Sequence, residues 1–592
     1  MSCAVNYVIL IPMTIKDEKQ FEKLLIPVKK VTFQKGFFQL TDSSKPKTHR
    51  DKTIKNNEGY KIKILAKGVE IFAATDAGTY YAIQTLKDLA AIYENKLLVC
   101  LIEDEPDFKR RGVYLDCSRG KVPKLSTLKD LVAHLAHWKI NELQLYIENV
   151  FTFKKHPDIG KGYSPFTPDE ILDLQDFCKL HHVRLVGSLA SFGHFEKILS
   201  LPKYQHLGEL SGFRGFPGGT TLCPADAGSI KLISELYSEF VPLFEAEDFN
   251  VCCDETWELG KGRSRKLADR IGTGRLYLNY LLEIHRLCRK YGKRMNVWAD
   301  IVLQHPELLS KLPKDIVLLN WEYEQNGKNI YRTKEIAKAK IPFMVCPGTS
   351  GWLTHGSRLP NSMANVTNFA AQGRKFGAEG LLNTDWGDNG HRNLLGVSLH
   401  SFAHGAAHSW NGKKVDNKKF TDNFCSRFFG KHTGRLADVI RLLGNTYITC
   451  GTNVPNKNWL YFALVEPVKN NQSDSAIDLM NARGLRKIVR QFSDESIWPK
   501  LSKSIGKFEK TAFEELKLAA RMDCLSARWA LAIKKNRTGK NVKTKELQQI
   551  NKQMQNIAKD FKKLWLLRNK VSRLKDNLRL FQQAGKGLKK CE

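Results

Sequence analysis

Residues 249–264 read FNVCCDETWELGKGRS: a short apolar run, two adjacent carboxylates, then a polar loop with two glycines. The run has the length and composition of a buried strand. Consecutive strand residues face opposite sides, so Asp254 and Glu255 can serve one ligand only where the strand breaks into its loop. That places both acids at a rim.

The same texture recurs along the chain. Apolar runs GVYLDC (112–117), ELQLYIE (142–148), VRLVGSLA (183–190), RMNVWAD (294–300), IVLLNWE (316–322), PFMVCPG (342–348) and GLLNTDW (380–386) each lead into a polar loop followed by an amphipathic stretch. With 249–255 that makes eight strands alternating with helices, the count of an α/β (β/α)8 TIM barrel over residues 106–410. Nearly every run ends on a carboxylate, tryptophan or histidine. In such a barrel the active site is assembled at the C-terminal ends of the strands.

The flanks read differently. Within residues 1–105, KIKILAKGVEIFAATDAGTYYAIQTLKDLAAIY (61–93) predicts two strands and then a helix from Asp76, with Ala82, Ile83, Leu86 and Leu89 on one face. An N-terminal α+β domain with a scaffolding role is expected there. Residues 411–592 turn helical, with apolar residues at helical spacing and basic residues between them. A helical C-terminal domain packing on the barrel is expected.

Composition bounds the rest. A chain of 592 residues exceeds one core, since single cores stop growing near ~250–300 residues. A 42% hydrophobic share and a mean hydropathy of −0.37 exclude wholesale disorder. No apolar run reaches the ~18–20 residues of a membrane-spanning helix. The N-terminal stretch shows no basic leading region or cleavage site, and the 13 cysteines are scattered without a CxxC pair. A cytoplasmic, reducing location is the expectation.

The net charge of +33 points to a polyanion contact, and residues 501–592 carry 24 basic and 8 acidic side chains. That charge follows helical periodicity rather than any nucleic-acid module, so no specific nucleic-acid partner is expected.

The pieces GTYYAIQTL (78–86), RRGVYLDCSRG (110–120), FGHFE (192–196), CCDETWELGKGRS (252–264), VWAD (297–300) and TDWGDNG (384–390) resemble glycoside hydrolase family 20, the β-N-acetylhexosaminidases. The resemblance implies removal of a terminal β-linked N-acetylhexosamine from a glycan, without metal or cofactor. In that family the substrate's own 2-acetamido oxygen attacks the anomeric carbon. It implies Glu255 as general acid, Asp254 on the acetamido N–H, and His194 beside the acid, with Glu148 completing a relay. It also implies Arg111 and Asp388 on sugar hydroxyls and Trp386 as the floor under the ring, with Trp298, Trp321 and Trp352 at other strand ends. Family members place a tyrosine near strand seven. PFMVCPGTSGW stands there instead, so Tyr323 in NWEYE is taken as its substitute. Left open are another amino-sugar substrate, disaccharide-releasing or sulfated, and a non-catalytic glycan- or polyanion-binding role.

Overall fold

The computed structural model describes residues 19–430, 434–465, 474–539 and 542–588. Near the N-terminus, strands β1 (Lys30–Gln39), β2 (Lys47–Arg50), β3 (Tyr60–Leu65), β4 (Gly68–Ala73) and β5 (Lys96–Asp104) form one sheet in the order β1-β5-β3-β4-β2. The predicted helix spans Asp76–Tyr93, opened by Thr75, whose side chain accepts from the Gly78 N–H. Ala82, Leu86 and Leu89 are buried against the sheet, and Ile83 is half-buried at its margin. Each fully buried leucine contributes about 1.5–3 kcal/mol to that contact.

Eight parallel strands then close into a barrel: β6 (Arg110–Asp116), β7 (Glu142–Ile147), β8 (Arg184–Leu189), β9 (Asp248–Asn250), β10 (Arg294–Trp298), β11 (Val317–Trp321), β12 (Phe343–Cys346) and β13 (Gly380–Asp385). β13 pairs with β6, which completes the ring. Helices such as Leu125–His137 and Pro168–Leu180 cover it, their apolar faces turned inward. The N-terminal end of the barrel is plugged by charge. Arg110 bonds Glu142 at 2.9 Å and Asp248 at 3.0 Å, and Arg184 reaches the same two acids at 2.6 and 3.2 Å. Burial alone would raise Glu142, but the two arginines hold it down to about 2.

Beyond the barrel the chain is helical. The helix Lys507–Arg537 is buried along much of its length. It is tied to segments that follow the last two barrel strands, where Asp523 bonds His355 at 2.9 Å and Glu515 accepts from the Gly396 N–H at 2.8 Å, and Asp523 also bonds Thr446 of the helical region at 2.7 Å. The neighbouring helix Ala482–Phe492 exposes Arg483, Arg486, Lys487 and Arg490, spaced i, i+3, i+4, i+7. No helix among the described residues is long and apolar enough to cross a membrane. All eleven cysteines among them are buried.

Candidate active site

β9 is only three residues long, and the segment that follows carries the acids. Cys252, Cys253 and Glu255 adopt left-handed backbone with φ of 60°, 62° and 50°. Such conformations cost non-glycine residues energy and mark a site where the fold overrides local preference. They break the strand alternation, so that Asp254 and Glu255 meet the same histidine. Gly193 makes room for the turn: a Cβ there would lie 2.3 Å from the Asp254 carbonyl oxygen.

His194 Nε2 stands 3.3 Å from Asp254 Oδ2 and 3.5 Å from Glu255 Oε2. Burial opposes charge on the imidazole, but Asp254 overcomes it and lifts His194 to about 9. Glu255 moves the other way in function. Burial first, then the Asp254 charge, push it up to about 7 against the pull of His194. A carboxyl that holds its proton near neutrality suits general acid work. Asp254 Oδ1 is buried without a hydrogen-bond partner. Since one oxygen is held by His194, this second one is an acceptor kept for an incoming donor. Asp300 accepts from the Glu255 N–H at 3.1 Å and is itself raised to about 7 by burial and by Asp254.

A second charged group lies behind the first. Arg119 Nε is 3.2 Å from Glu148 Oε1, and Lys197 ion-pairs the other oxygen of Glu148. Burial would raise Glu148, but these two cations hold it down to about 2. Asp116 links two rim loops, accepting from the Gly387 N–H at 2.8 Å while its same oxygen lies 3.3 Å from Arg119. The Arg119 guanidinium also lies over the rings of Tyr146 and Trp386, at 4.6 and 5.2 Å.

Aromatic rings make the rest of the wall. Trp386 packs against Tyr114 and Tyr146, with ring centres 5.2 Å apart in both cases, and its indole N–H donates to Tyr323 Oη at 2.8 Å. Tyr323 stacks on Trp321 at 5.0 Å. Arg119, His194, Asp254, Glu255, Trp298, Trp321, Tyr323, Trp386 and Asp388 enclose about 60 Å³ of free space. That is room for roughly four to six waters, so about one sugar ring and not a chain.

Of the expected site residues, the structure brings Asp254, Glu255, His194, Trp298, Trp321, Tyr323, Trp386 and Asp388 together. Two expectations are corrected. Arg111 sits at the N-terminal end of β6, fully buried, where it bonds Glu58 at 2.6 Å and the carbonyls of Lys139 and Phe108. It therefore cannot reach a sugar at the opposite end of the barrel. Trp352 is buried behind the pocket, edge-on to Tyr323 at 5.0 Å, and supports that ring without lining the cavity. Glu148 stands behind the wall, paired with Arg119 and Lys197 and with a carboxylate oxygen within 4.8 Å of His194, on the side where the expected relay needs it. The arginine at the mouth is Arg119, in the same RRGVYLDCSRG piece. The signal that could have found it is position: it follows the C-terminal end of the strand, whereas Arg111 lies at its start. Asp300, the last residue of VWAD, joins the site without having been expected there.

Two groups of side chains have ligand atoms close enough for a metal ion, within 4.8 Å of one another: His194 with Asp254 and Glu255, and Glu148 with His194 and Glu196. Both need His194 as a neutral donor. Raised to about 9 by Asp254, it would have to release a proton to bind a metal ion.

Comparisons with known proteins place the barrel and the domain before it in one family. Residues 108–411 match the family described as glycosyl hydrolase family 20, catalytic domain, and residues 16–105 match its domain 2. Human hexosaminidase D is 24% identical over 225 residues, 36% of this chain and 45% of that protein. The beta-hexosaminidase of Vibrio furnissii is 24% identical over 310 residues, 46% of this chain and 50% of that one. The chain thus spans about half the length of these relatives. The crystal structure of Flavobacterium johnsoniae chitobiase superposes with a TM-score of 0.58 at 17% identity, covering 92% of this chain and 99% of that one. At that identity the likeness speaks for the fold.

Proposed function

The chain belongs to glycosyl hydrolase family 20, and on that premise we propose that it removes a terminal β-linked N-acetylhexosamine from glycans with net retention, using the substrate's acetamido group as nucleophile. The observation that carries the reading is the buried, partnerless Oδ1 of Asp254 beside a carboxyl held protonated near neutrality.

The usual retaining route needs a nucleophilic carboxylate about 5–5.5 Å from the acid. Two sequence neighbours sharing one histidine suit a different division of labour. Glu255 gives its proton to the glycosidic oxygen as the C1–O bond breaks. The acetamido oxygen attacks C1 from the other face, forming an oxazolinium ring. The acetamido N–H becomes more positive as that ring closes, and Asp254 Oδ1 accepts it. A fixed anion there stabilises the transition state more than the ground state. The O–H of Tyr323, whose oxygen already accepts from Trp386, is a donor for the acetamido oxygen and would hold it in line. In the second step Glu255, now a carboxylate, takes a proton from water as the water opens the oxazolinium at C1.

The imidazolium of His194 faces both carboxyls and offsets their charge while Glu255 gives up and regains its proton. Arg119 and Asp388 supply a donor and an acceptor for ring hydroxyls. The single-ring cavity supports exo action.

Turnover of an aryl N-acetyl-β-glucosaminide tests the acid. Glu255→Gln is expected to lower kcat on a poorly activated aglycone by about 10²–10⁴. An unchanged rate would remove Glu255 from the role.

A further inference from the structure

A second cavity, of about 540 Å³, adjoins the sugar pocket, and Glu255 and Trp321 line both. A general acid must reach the oxygen that joins the departing group to the sugar, so the space on its far side is where that group sits. This cavity is large enough for at least one further ring. Its walls include two half-exposed indoles. Trp257 is packed on one side by the Arg214 guanidinium at 3.8 Å, and Trp321 is stacked on Tyr323 at 5.0 Å. Sugar rings bind such faces through their C–H groups.

Its charge is unusual. Lys261 and Lys328 line it, both exposed, and among the described residues neither pairs with a carboxylate. The Lys261 ammonium donates only to the Trp257 carbonyl, at 2.6 Å. Arg332 is already satisfied by Glu335 at 2.9 Å, and His305 faces Glu307 at 3.5 Å. The acids in the lining are Glu255 and Asp300, both at the end shared with the chemistry. The outer part of the cavity is therefore aromatic and cationic with no counter-charge of its own.

We propose that this cavity is the leaving-group subsite, and that it selects an acidic sugar, one bearing a carboxylate or a sulfate, whose anion is met by Lys261 and Lys328. This rests on the hydrolase reading above. The unpaired ammonium groups gain a partner only when such a substrate is bound, so the preference is electrostatic and salt-sensitive.

The test compares kcat/KM of the full chain on three matched disaccharides, an N-acetyl-β-glucosaminyl group linked to a neutral hexose, to a hexuronate or to a 6-sulfated hexose, with an aryl glycoside as control. At low salt the acidic acceptors are expected to be favoured about 3- to 10-fold over the neutral one. Whichever is favoured more identifies carboxylate or sulfate as the ligand. The ratio should collapse toward one in Lys261→Gln/Lys328→Gln and persist in Lys261→Arg/Lys328→Arg. Turnover of the aryl glycoside with no preference for acidic acceptors, or a preference that survives the glutamine pair, overturns the subsite and leaves the hydrolase reading standing. No turnover of any substrate overturns both.

Discussion

His194 Nε2 lies 3.3 Å from Asp254 Oδ2, and the same nitrogen is within 3.5 Å of Glu255. One buried cation is thus shared by two carboxyls with opposite tasks. Glu255 is raised to about 7 by burial and by its neighbour's charge.

The pH dependence follows from that sharing. Glu255 must be protonated to act, so kcat/KM is expected to fall as pH rises through about 7. Removing the Asp254 charge with Asp254→Asn takes away a term that raises Glu255, so the falling limb moves to lower pH. Removing the His194 cation with His194→Gln takes away a term that lowers it, so the limb moves to higher pH. Residual activity measured across pH 5–9 checks both, and shifts in the same direction would contradict the arrangement.

Two of the three arginines of RRGVYLDCSRG, Arg111 and Arg119, separate by role. Arg119→Ala is expected to raise KM for an aryl N-acetyl-β-glucosaminide about tenfold or more, since it lines the pocket. Arg111→Ala strands Glu58 and two carbonyls at the far end of the barrel. It should cost about 3 kcal/mol of stability while leaving KM near its original value. Thermal melting beside steady-state kinetics distinguishes the two.

Gly193 has no space for a side chain. A Cβ would sit 2.3 Å from the Asp254 carbonyl oxygen, so Gly193→Ala must push the segment that aims both acids. A loss of about 10²-fold in kcat is expected, because misplacement near 1 Å is enough to cost that much. Stability should fall by about 1–3 kcal/mol. Wild-type kcat in a folded variant would mean that the segment is not held by this contact.

Much of this was legible in the sequence because the barrel repeats itself. Each buried strand leaves an apolar run of five to seven residues, and the residue that ends it is at the rim by topology alone. That logic placed Asp254, Glu255, Trp298, Trp321 and Trp386 in one cavity, and the family resemblance added Asp388. It failed where position along the strand was not weighed. Arg111 lies at the start of β6 and Arg119 follows its end, so the same logic, applied strictly, assigns them to opposite faces. It also failed where a side chain reaches the rim but turns away from it. Trp352 does so because it packs edge-on against Tyr323, and such a contact leaves no mark in one sequence. The strand β9 was read as seven residues and is three. Left-handed backbone at Cys252, Cys253 and Glu255 ends it early, and nothing in the composition of those residues announces that conformation.

The central claim is that the sugar's own acetamide is the nucleophile while Asp254 steadies it. Hydrolysis rates for aryl N-acyl-β-glucosaminides carrying acetyl, monofluoroacetyl, difluoroacetyl and trifluoroacetyl groups test it most directly. Each fluorine makes the carbonyl oxygen a poorer nucleophile without changing its place. The account predicts that kcat/KM falls steeply and progressively along the series. Rates independent of fluorination would contradict it and place the nucleophile on the protein or on water.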